Sequence, residues 1–510
     1  MARLHFGNVI SRDQTTRNSP AFVPSWITIL FTISVPLIIA LGYLLRVGYL
    51  HRSKINALRK QGIPMPKEWS WFTGHLLTLQ KYVDQIPPDA NVNLAMKDLA
   101  REYAETEVFL MDFWPVYPPL LMVYSPEAAI QVSTKYNLPK TDMHLRFIKP
   151  ITGGPNVISM SDNEWKTWRS LFNPGFSTAV MMDNVPHIVD SVQVYCEILK
   201  EKAGKANHAF RDADLDYQRS ENVLATALGY ITRWYSFWDP RILMHPLRPF
   251  IQKYYGHVMN KYIRNELDHQ FLEIKQEKLS NENSIHSKRA KSVITLALEA
   301  CVAENQDKNI TAMTKLDDDF ARYATYQIRL FLFAGNDTTS KTLSLYPPAA
   351  TMRSGRAGIA VTDRHGNTYP MDHVDATTLH SAVHNNPRVW PRPDKFLPER
   401  FLVEPDHELY PNPAAYRPFE QGLRNRIGQT LVYNEMRILM IMTARVIDIK
   451  PAYDEWDALK EKEVGLFARV VRKFAGEPIK TVHGDRAYQT KKVGTHPANG
   501  YPCHVDIVKQ

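Results

Sequence analysis

Cysteine is scarce in this sequence, and the few cysteines lie far apart. Among 510 residues there are three, Cys196, Cys301 and Cys503, and no two of them form a Cys-x-x-Cys pair. This spacing excludes a disulfide framework and a cysteine-rich zinc site. We expect each cysteine to be a small buried hydrophobic residue, and the folded part to face a reducing compartment.

The sequence also lacks internal repeats, low-complexity linkers and long blocks of one charge. Its 62 Lys and Arg against 53 Asp and Glu give a net charge of +9, a small excess for 510 residues. Nucleic-acid-binding proteins concentrate basic residues in a patch or arm, so we expect no nucleic-acid partner. With 44% hydrophobic and 23% charged residues, the composition excludes a mostly disordered chain and a coiled coil.

One uncharged stretch, residues 22–45, is long enough to cross a membrane. A helix needs about 20 apolar residues to span the hydrocarbon core. We expect a short N-terminal tail at 1–21, a transmembrane anchor at 22–45 and a basic, proline-containing connector at 46–70. A cleaved signal peptide is the alternative, although its apolar core would be only ~7–15 residues long and would end in a small-residue cleavage site.

Basic residues after this stretch indicate its orientation. They are Arg46, His51, Arg52, Lys54, Arg59 and Lys60. The positive-inside rule places them on the cytoplasmic side, although three arginines that precede the stretch weaken the asymmetry. No second apolar run of comparable length follows, so we expect a single-pass anchor with one soluble body at 71–510.

The pattern of the body predicts a fold that is mainly α with minor β. Apolar residues recur at spacings of three and four in VDSVQVYCEILKEKA and DDFARYATYQIRLFLF, which is typical of helices. Short strands are predicted near VFLMDFW, GIAVTD, VVRKF and CHVDIV.

An apolar helical pattern runs into the polar motif FLFAGNDTTS at 331–340. One interpretation is a helix end, because Gly, Asn, Asp and Thr are common cap and turn residues. The other is a groove in a helix, in which Gly335 lets a small ligand approach the backbone while Asp337 and Thr338 relay protons. The motif alone does not decide between them.

Three later motifs follow in an order that resembles the cytochrome P450 family: LYPP at 345–348, FLPERF at 396–401 and YRPFEQGLRNRIGQT at 416–430. More specifically, the chain resembles fungal microsomal P450s of secondary metabolism, from the N-terminal anchor through WKTWR at 165–169 to the terminal GYPCHV. The resemblance implies a haem monooxygenase fold, a hydrophobic small-molecule substrate, an NADPH–cytochrome P450 reductase as partner, and a location in the endoplasmic reticulum membrane with the body in the cytoplasm.

The resemblance also implies roles for single residues. Residues 334–338 match the Ala-Gly-x-Asp-Thr element of a central helix over the haem, in which Asp337 and Thr338 take part in oxygen activation. Trp165 and Arg169 match a pair that holds a haem propionate, a role that suits a guanidinium facing a carboxylate. Ordinary packing on a helix surface is the alternative for two residues one turn apart.

The haem loop of the family reads Phe-x-x-Gly-x-Arg-x-Cys-x-Gly, and its Cys thiolate is the axial iron ligand. Phe419, Gly422, Arg424 and Gly428 match this pattern, but Arg426 occupies the position of the Cys. A guanidinium with a pKa above ~12 has no free lone pair, so Arg426 cannot replace the thiolate. We therefore expect no haem-thiolate centre.

A second departure from the family lies just before LYPP. The family has a Glu-x-x-Arg helix there, whose charges pair with the arginine corresponding to Arg400. This sequence has KTLS at 341–344, and no Glu in it is followed three positions later by Arg. We expect a deletion at 344/345, and a buried Arg400 without partners would cost about 3–5 kcal/mol.

His380 and His384 have the i, i+4 spacing of a metal-binding helix, but no Glu follows the first His and no third ligand is evident.

The main interpretation is an inactive P450-like monooxygenase, because the axial Cys and the Glu-x-x-Arg motif are absent. Two alternatives stay open: a working haem-thiolate enzyme whose sequence contains a fault at 344/345 and 426, and a non-catalytic membrane scaffold for pathway enzymes.

Overall fold

The computed structural model describes residues 26–204, 223–235, 240–280, 292–304, 315–338, 351–463, 465, 479–491 and 496–508. The chain divides into two units, Met1–Gln61 and Gly62–Gln510. The helices are α1 Trp26–Lys60, α2 Leu76–Val83, α3 Val92–Ala100, α4 Pro126–Ile130, α5 Asp142–Thr152, α6 Asp162–Phe172, α7 Thr178–Asp183, α8 Val185–Lys202, α9 Val223–Arg233, α10 Pro240–Leu243, α11 Arg248–Ser280, α12 Val293–Glu304, α13 Asp318–Thr338, α14 His380–Val383, α15 Gln429–Thr443 and α16 Tyr453–Glu463. The strands are β1 Val108–Met111, β2 Leu120–Val123, β3 Thr351–Arg353, β4 Ala360–Thr362, β5 Thr368–Pro370, β6 Asp375–Thr378, β7 Ile447–Pro451 and β8 Cys503–Ile507.

The described part of the first unit consists of helix α1 and Gln61. An 18-residue window of its segment Thr32–Lys60 has a mean hydropathy of 1.8, and among the described residues this is the one helix with the length and composition of a membrane span. Large apolar side chains on it are exposed, including Leu37 at 68% and Ile39 at 67%. The helix ends at Lys60, just before the segment with Pro64 and Pro66, because proline removes a backbone donor and clashes with a preceding helical turn.

The largest sheet of the second unit has the order β1-β2-β6-β3. Strand β2 pairs with β6 in parallel, although their sequences lie far apart, and β3 pairs with β6 in the antiparallel sense, with Arg353 opposite Ala376. The predictions of strands at VFLM, in GIAVTD and in CHVDIV are confirmed by β1, β4 and β8. The predicted strand at VVRKF lies outside the described residues.

Two large hydrophobic clusters form the core of the second unit. One joins α2, α3 and α14 to the inner residues of β1 and β2, such as Phe109 and Met122. The other joins α6, α11, α12 and α13 around side chains such as Phe172 and Phe271. Because α6 and α13 share this second cluster, their mutual position is fixed by apolar packing. The predicted class, mainly α with minor β, is confirmed.

Candidate functional site

Helix α6 carries the tryptophan and the arginine of the WKTWR motif. Trp165 and Arg169 are four residues apart and therefore lie on one face of the helix. Trp165 is 7% exposed and belongs to the cluster shared with α13, while Arg169 is half-buried. Burial lowers the pKa of Arg169 from its ordinary value.

The loop before α15, residues 419–428, folds back on itself. The backbone N–H of Arg426 donates to the carbonyl oxygen of Phe419 at 3.0 Å. Gly422 has a φ of +79°, and a Cβ at this position would lie 2.7 Å from Thr134 Oγ1, so only glycine fits. Gly428 ends the loop and caps α15. The loop thus fixes the backbone at the position where the family pattern has its cysteine.

Helix α6 and this loop contact each other directly. Arg169 donates through Nη1 to the carbonyl oxygen of Asn425 at 2.9 Å and through Nη2 to its Oδ1 at 3.0 Å. The Arg424 guanidinium lies 4.5 Å from the centre of the Trp165 ring, and its Nη1 donates to the carbonyl oxygen of Met160 at 2.7 Å. The structure therefore brings the two sequence-predicted groups together, with the cation–π pair at their interface.

A buried carboxylate, Glu420, contacts an arginine and a histidine beside the loop. Its Oε2 lies 2.9 Å from His380 Nε2, and its Oε1 accepts from Arg417, which also donates to Ser133 Oγ at 2.6 Å. Burial alone would raise the pKa of Glu420, but His380, Arg417 and a hydrogen bond from Thr351 hold that pKa well below its ordinary value. Glu420 is therefore ionised throughout the neutral range.

Further arginine and lysine side chains lie around the loop, and some of their N–H groups lack a hydrogen-bond acceptor among the described residues. Arg353 on β3 is fully buried and donates through Nη1 to the carbonyl oxygen of Leu138 at 3.2 Å. Within the described part of the chain, its Nε and Nη2 and the Nε of Arg424 are buried without an acceptor. Burial, together with the charges of Arg353, Arg424 and Arg426, lowers the pKa of Lys140 well below its ordinary value. The cluster is thus suited to an anion, because its charges and free N–H groups are not matched by carboxylates.

These cationic residues were not singled out by the sequence, apart from the two arginines of the loop. Arg353 stands in a three-residue strand with no recognisable motif, and Lys140 stands in an irregular segment before α5. Glu420 had one available signal, because an acidic residue occupies an unspecified position of the haem-loop pattern.

The Ala-Gly-x-Asp-Thr motif lies inside helix α13, whose described part ends at Thr338. Gly335 is exposed, and a Cβ built on it would meet no described atom within 4 Å. The side chains of Asp337 and Thr338 are not among the described ones, and the whole segment 339–350 lies outside the described residues, including KTLS, LYPP and the expected deletion.

Arg400 lies in a short 3₁₀ turn, Pro398–Phe401, and is 5% exposed. Its Nη2 donates to the carbonyl oxygens of Pro391 and Arg392 at 2.6 and 2.8 Å. Among the described residues it forms no salt bridge with a carboxylate, and its Nη1 is buried without an acceptor. Burial and the neighbouring charge of Arg392 lower the pKa of Arg400.

The two histidines with metal-ligand spacing have separate partners. His380 contacts Glu420, and His384 Nε2 accepts from the backbone N–H of Arg417 at 2.9 Å. The described residues contain no group of three or more His, Cys, Asp or Glu side chains placed to hold a metal ion.

The residues around the loop fit the carboxylates of a haem but do not fit its iron. The orphaned N–H groups of Arg353 and Arg424 match the carboxylates of a porphyrin. At the ligand position, however, a half-buried Arg426 presents a guanidinium, and its pKa, although lowered by burial, is supported by the charge of Glu420. The buried Cys196 and Cys503 lie on α8 and β8, away from this loop in the chain, and the side chain of Cys301 is not among the described ones. The residues present therefore do not fit haem-thiolate ligation.

Helix α15, which follows the loop, is incompletely covered. It packs on α7 and α8, yet Val432 is the one buried residue along its length. Met440 and Ile441 are 60% and 75% exposed. A cleft of about 290 Å³ lies between this helix and the loop, bordered by Tyr416, Phe419, Gln421, Asn425, Gln429 and Tyr433.

Comparison with known proteins gives a consistent result. The family model described as cytochrome P450 matches residues 374–470, which include the loop and α15. The chain is 30% identical over 557 residues to the cytochrome P450 monooxygenase polC of Polytolypa hystricis, with 94% of this chain and 95% of the relative covered. It is 24% identical over 518 residues to the cytochrome P450 monooxygenase acrF of Aspergillus aculeatus, with 82% of this chain and 98% of the relative covered.

A solved structure has the same fold. The crystal structure of the cytochrome P450DA heme domain superposes with a TM-score of 0.54 at 16% sequence identity, covering 88% of this chain and 97% of that chain.

Proposed function

This chain belongs to the cytochrome P450 family, and we propose that it is a membrane-anchored P450-like protein of fungal secondary metabolism that has lost monooxygenase activity. The observation that carries the proposal is the arginine at the ligand position. The Arg426 backbone is held by Phe419 in a loop that otherwise matches the family pattern, so the side chain occupies the place of the thiolate.

The difference in chemistry between cysteine and arginine at this position is the reason for the proposed loss of activity. In the family, haem supplies oxygen chemistry whose reactivity depends on electron density from a cysteine thiolate. A protonated guanidinium has no lone pair to donate and adds a positive charge instead. Arg426 therefore removes the iron ligand and reverses the electrostatics around it, while Trp165, Arg169 and Arg424 remain as parts of the anion-binding side.

A missing block of chain is the second element of the proposal. The orphaned Nη1 of Arg400 and the uncovered apolar residues of α15 are what the loss of a packed helix would leave. The alignment with the Polytolypa relative spans 557 residues, more than the 510 of this chain, so the relative contains stretches with no counterpart here. We place the loss at 344/345, within the domain 71–510.

The membrane part of the proposal follows from helix α1. Residues 22–45 form the anchor, and the basic residues of 46–60 hold the following segment on the cytoplasmic side of the endoplasmic reticulum. An NADPH–cytochrome P450 reductase is the expected partner of the ancestral activity, and Asp337 and Thr338 are remnants of its oxygen-activating element. Retention of reductase binding would make the protein a membrane scaffold, which co-purification with a reductase tests.

The test of the proposed function is a repair series of four proteins. They are the unaltered chain, Arg426→Cys, the chain with a Glu-x-x-Arg helix block from a relative inserted after Ser344, and the combination of both changes. Haem content and the carbon monoxide spectrum of the reduced protein are measured for each. Only the combination should bind haem with thiolate character, because a corrected ligand still needs the packed helix that supports it.

The series separates the two lesions. If Arg426→Cys alone restores the thiolate spectrum, the gap at 344/345 is tolerated and the second element of the proposal is wrong. If the unaltered chain already has the thiolate spectrum, the proposed loss of activity is wrong as well.

A second candidate is a working haem-thiolate monooxygenase whose sequence is faulty at two places. It is favoured by WKTWR and the loop, which match the family pattern except at Arg426, because a long-decayed protein need not keep these matches. Genomic reads across codons 340–350 and 426 decide between them: reads that encode Cys at 426 and a longer segment after 344 establish the working enzyme, and reads that agree with the present sequence establish decay.

A further inference from the structure

Arg400, whose side chain is buried, lines a small cavity. The cavity has a volume of about 40 Å³ and is lined by Arg400 together with Trp390, Phe396, Leu397 and Phe401. One water needs about 10–15 Å³ by the same kind of measure, so the space accepts a group of about three heavy atoms. A carboxylate has that size.

The electrostatics of this cavity also call for a carboxylate. The Nη1 of Arg400 is buried and has no acceptor, while its Nη2 is already used by two carbonyl oxygens. Lys395, which is exposed, also lines the cavity. Asp394 and Glu399 are exposed, and within the described part of the chain neither forms a salt bridge with Arg400. A buried donor that lacks an acceptor costs free energy, which a carboxylate would recover.

The rim of the cavity is apolar and exposed. The side chains of Phe396, Phe401 and Leu402 are 65%, 49% and 82% exposed. All three lie near the buried Arg400, in space or in sequence. Large apolar side chains grouped around a charged recess are typical of a surface that contacts another protein segment. A free small carboxylate would satisfy the guanidinium but would leave these side chains in water.

We propose that this surface, formed by Arg400 and the rim residues Phe396, Phe401 and Leu402, is a docking site for an acidic amphipathic helix of a protein partner. A Glu or Asp of that helix enters the cavity and accepts from Arg400. Apolar residues one turn to either side of it cover the rim, because residues three and four apart share one helix face. The site requires neither haem nor iron, but it rests on the proposed loss of the helix block that would otherwise supply a carboxylate to Arg400.

The experiment measures binding of a synthetic helical peptide to the full-length chain in lipid nanodiscs by calorimetry. The peptide carries one Glu in the middle of a leucine face and Gln and Ala elsewhere, and empty nanodiscs provide the background. We expect saturable binding, and exchange of this Glu for Gln in the peptide should weaken it by about tenfold or more, the loss typical of a charge-assisted hydrogen bond. Arg400→Gln should produce the same loss, whereas Arg437→Gln, on exposed α15 surface, should leave binding unchanged.

The comparison of the two peptides uses the unaltered chain, so it stands even if Arg400→Gln fails to fold. Equal affinity of the Glu and Gln peptides, or no binding above empty nanodiscs, overturns the proposal. Sodium acetate that competes fully with the peptide at equal concentration assigns the site to small carboxylates and also overturns it. Concentration-dependent self-association that excludes the peptide identifies a second copy of the chain as the occupant instead.

Discussion

Arg169 donates to Asn425 through both of its terminal nitrogens, at 2.9 Å to the carbonyl oxygen and at 3.0 Å to Oδ1. This pair ties helix α6 to the loop before α15 across 256 residues of sequence. In the family resemblance Arg169 faces a haem propionate, and here its guanidinium is used by the protein itself. These protein contacts therefore hold helix α6 against the loop.

Asn425→Ala should reduce the stability of this interface. The substitution removes one hydrogen bond from a charged donor, so we expect the free energy of unfolding to fall by about 1.5–3 kcal/mol. Chemical denaturation of the detergent-solubilised chain measures this change. Asn163→Ala, at an exposed position on α6, is the matched control and should change the stability little. Equal effects of the two substitutions would mean that Arg169 is satisfied by water in the absence of the Asn425 side chain.

Glu420→Gln should be more damaging and should depend on pH. The substitution leaves Arg417 and His380 buried without their carboxylate, so we expect a loss of about 3–5 kcal/mol at neutral pH. Because the pKa of Glu420 is lower in the folded chain than in the unfolded one, its contribution is complete above the ordinary carboxyl pKa of about 4.3 and disappears as the pH falls through the lower folded value.

Urea unfolding of the unaltered chain and Glu420→Gln across this pH range provides the measurement. The difference between the two proteins should stay constant from neutral pH down to about 5 and narrow in more acidic buffer. The exposed Glu404→Gln serves as the control and should match the unaltered chain. A difference that grows on acidification would contradict the assigned direction of the pKa shift.

The sequence identified the elements whose signals are local. The uncharged run predicted the membrane-type helix, and the motif WKTWR together with the loop pattern predicted two segments that the structure brings into contact through Arg424 and Trp165. The burial of Arg353 was not predictable in this way, because it arises when β3 pairs with β6 and Leu138 approaches from a separate segment. Non-local pairing of short strands leaves little trace in either participating sequence.

For charged residues, too, local motifs were predictable and tertiary packing was not. Arg400 was predicted to lose its partners from the absence of a motif, and the structure shows how it is accommodated, through the carbonyl oxygens of Pro391 and Arg392. Its cavity and apolar rim depend on the packing of Trp390 and Phe401, which no spacing rule describes. Motifs report which residues are present, whereas the cavities between them are a property of tertiary packing.

The full-length chain should partition with membranes, because residues 22–45 carry no charge and the helix segment Thr32–Lys60 has the length and composition of a membrane span. Deletion of residues 1–50 should release the remaining protein from the membrane, as soluble protein or as aggregate. Membrane flotation of the two proteins after cell lysis measures this. Full-length protein in the soluble fraction after high-speed centrifugation would refute the anchor, and cleavage of the N-terminus in the mature protein would favour a signal peptide.

The proposed absence of thiolate ligation is tested most directly by the carbon monoxide difference spectrum of the reduced, purified full-length chain, recorded after expression with an ample haem supply. Because Arg426 stands in the place of the cysteine, the spectrum should contain no thiolate-type Soret band, whether or not haem remains associated through Arg353 and Arg424. A working family member purified in parallel provides the positive control. A clear thiolate-type band from the unaltered chain would contradict the account.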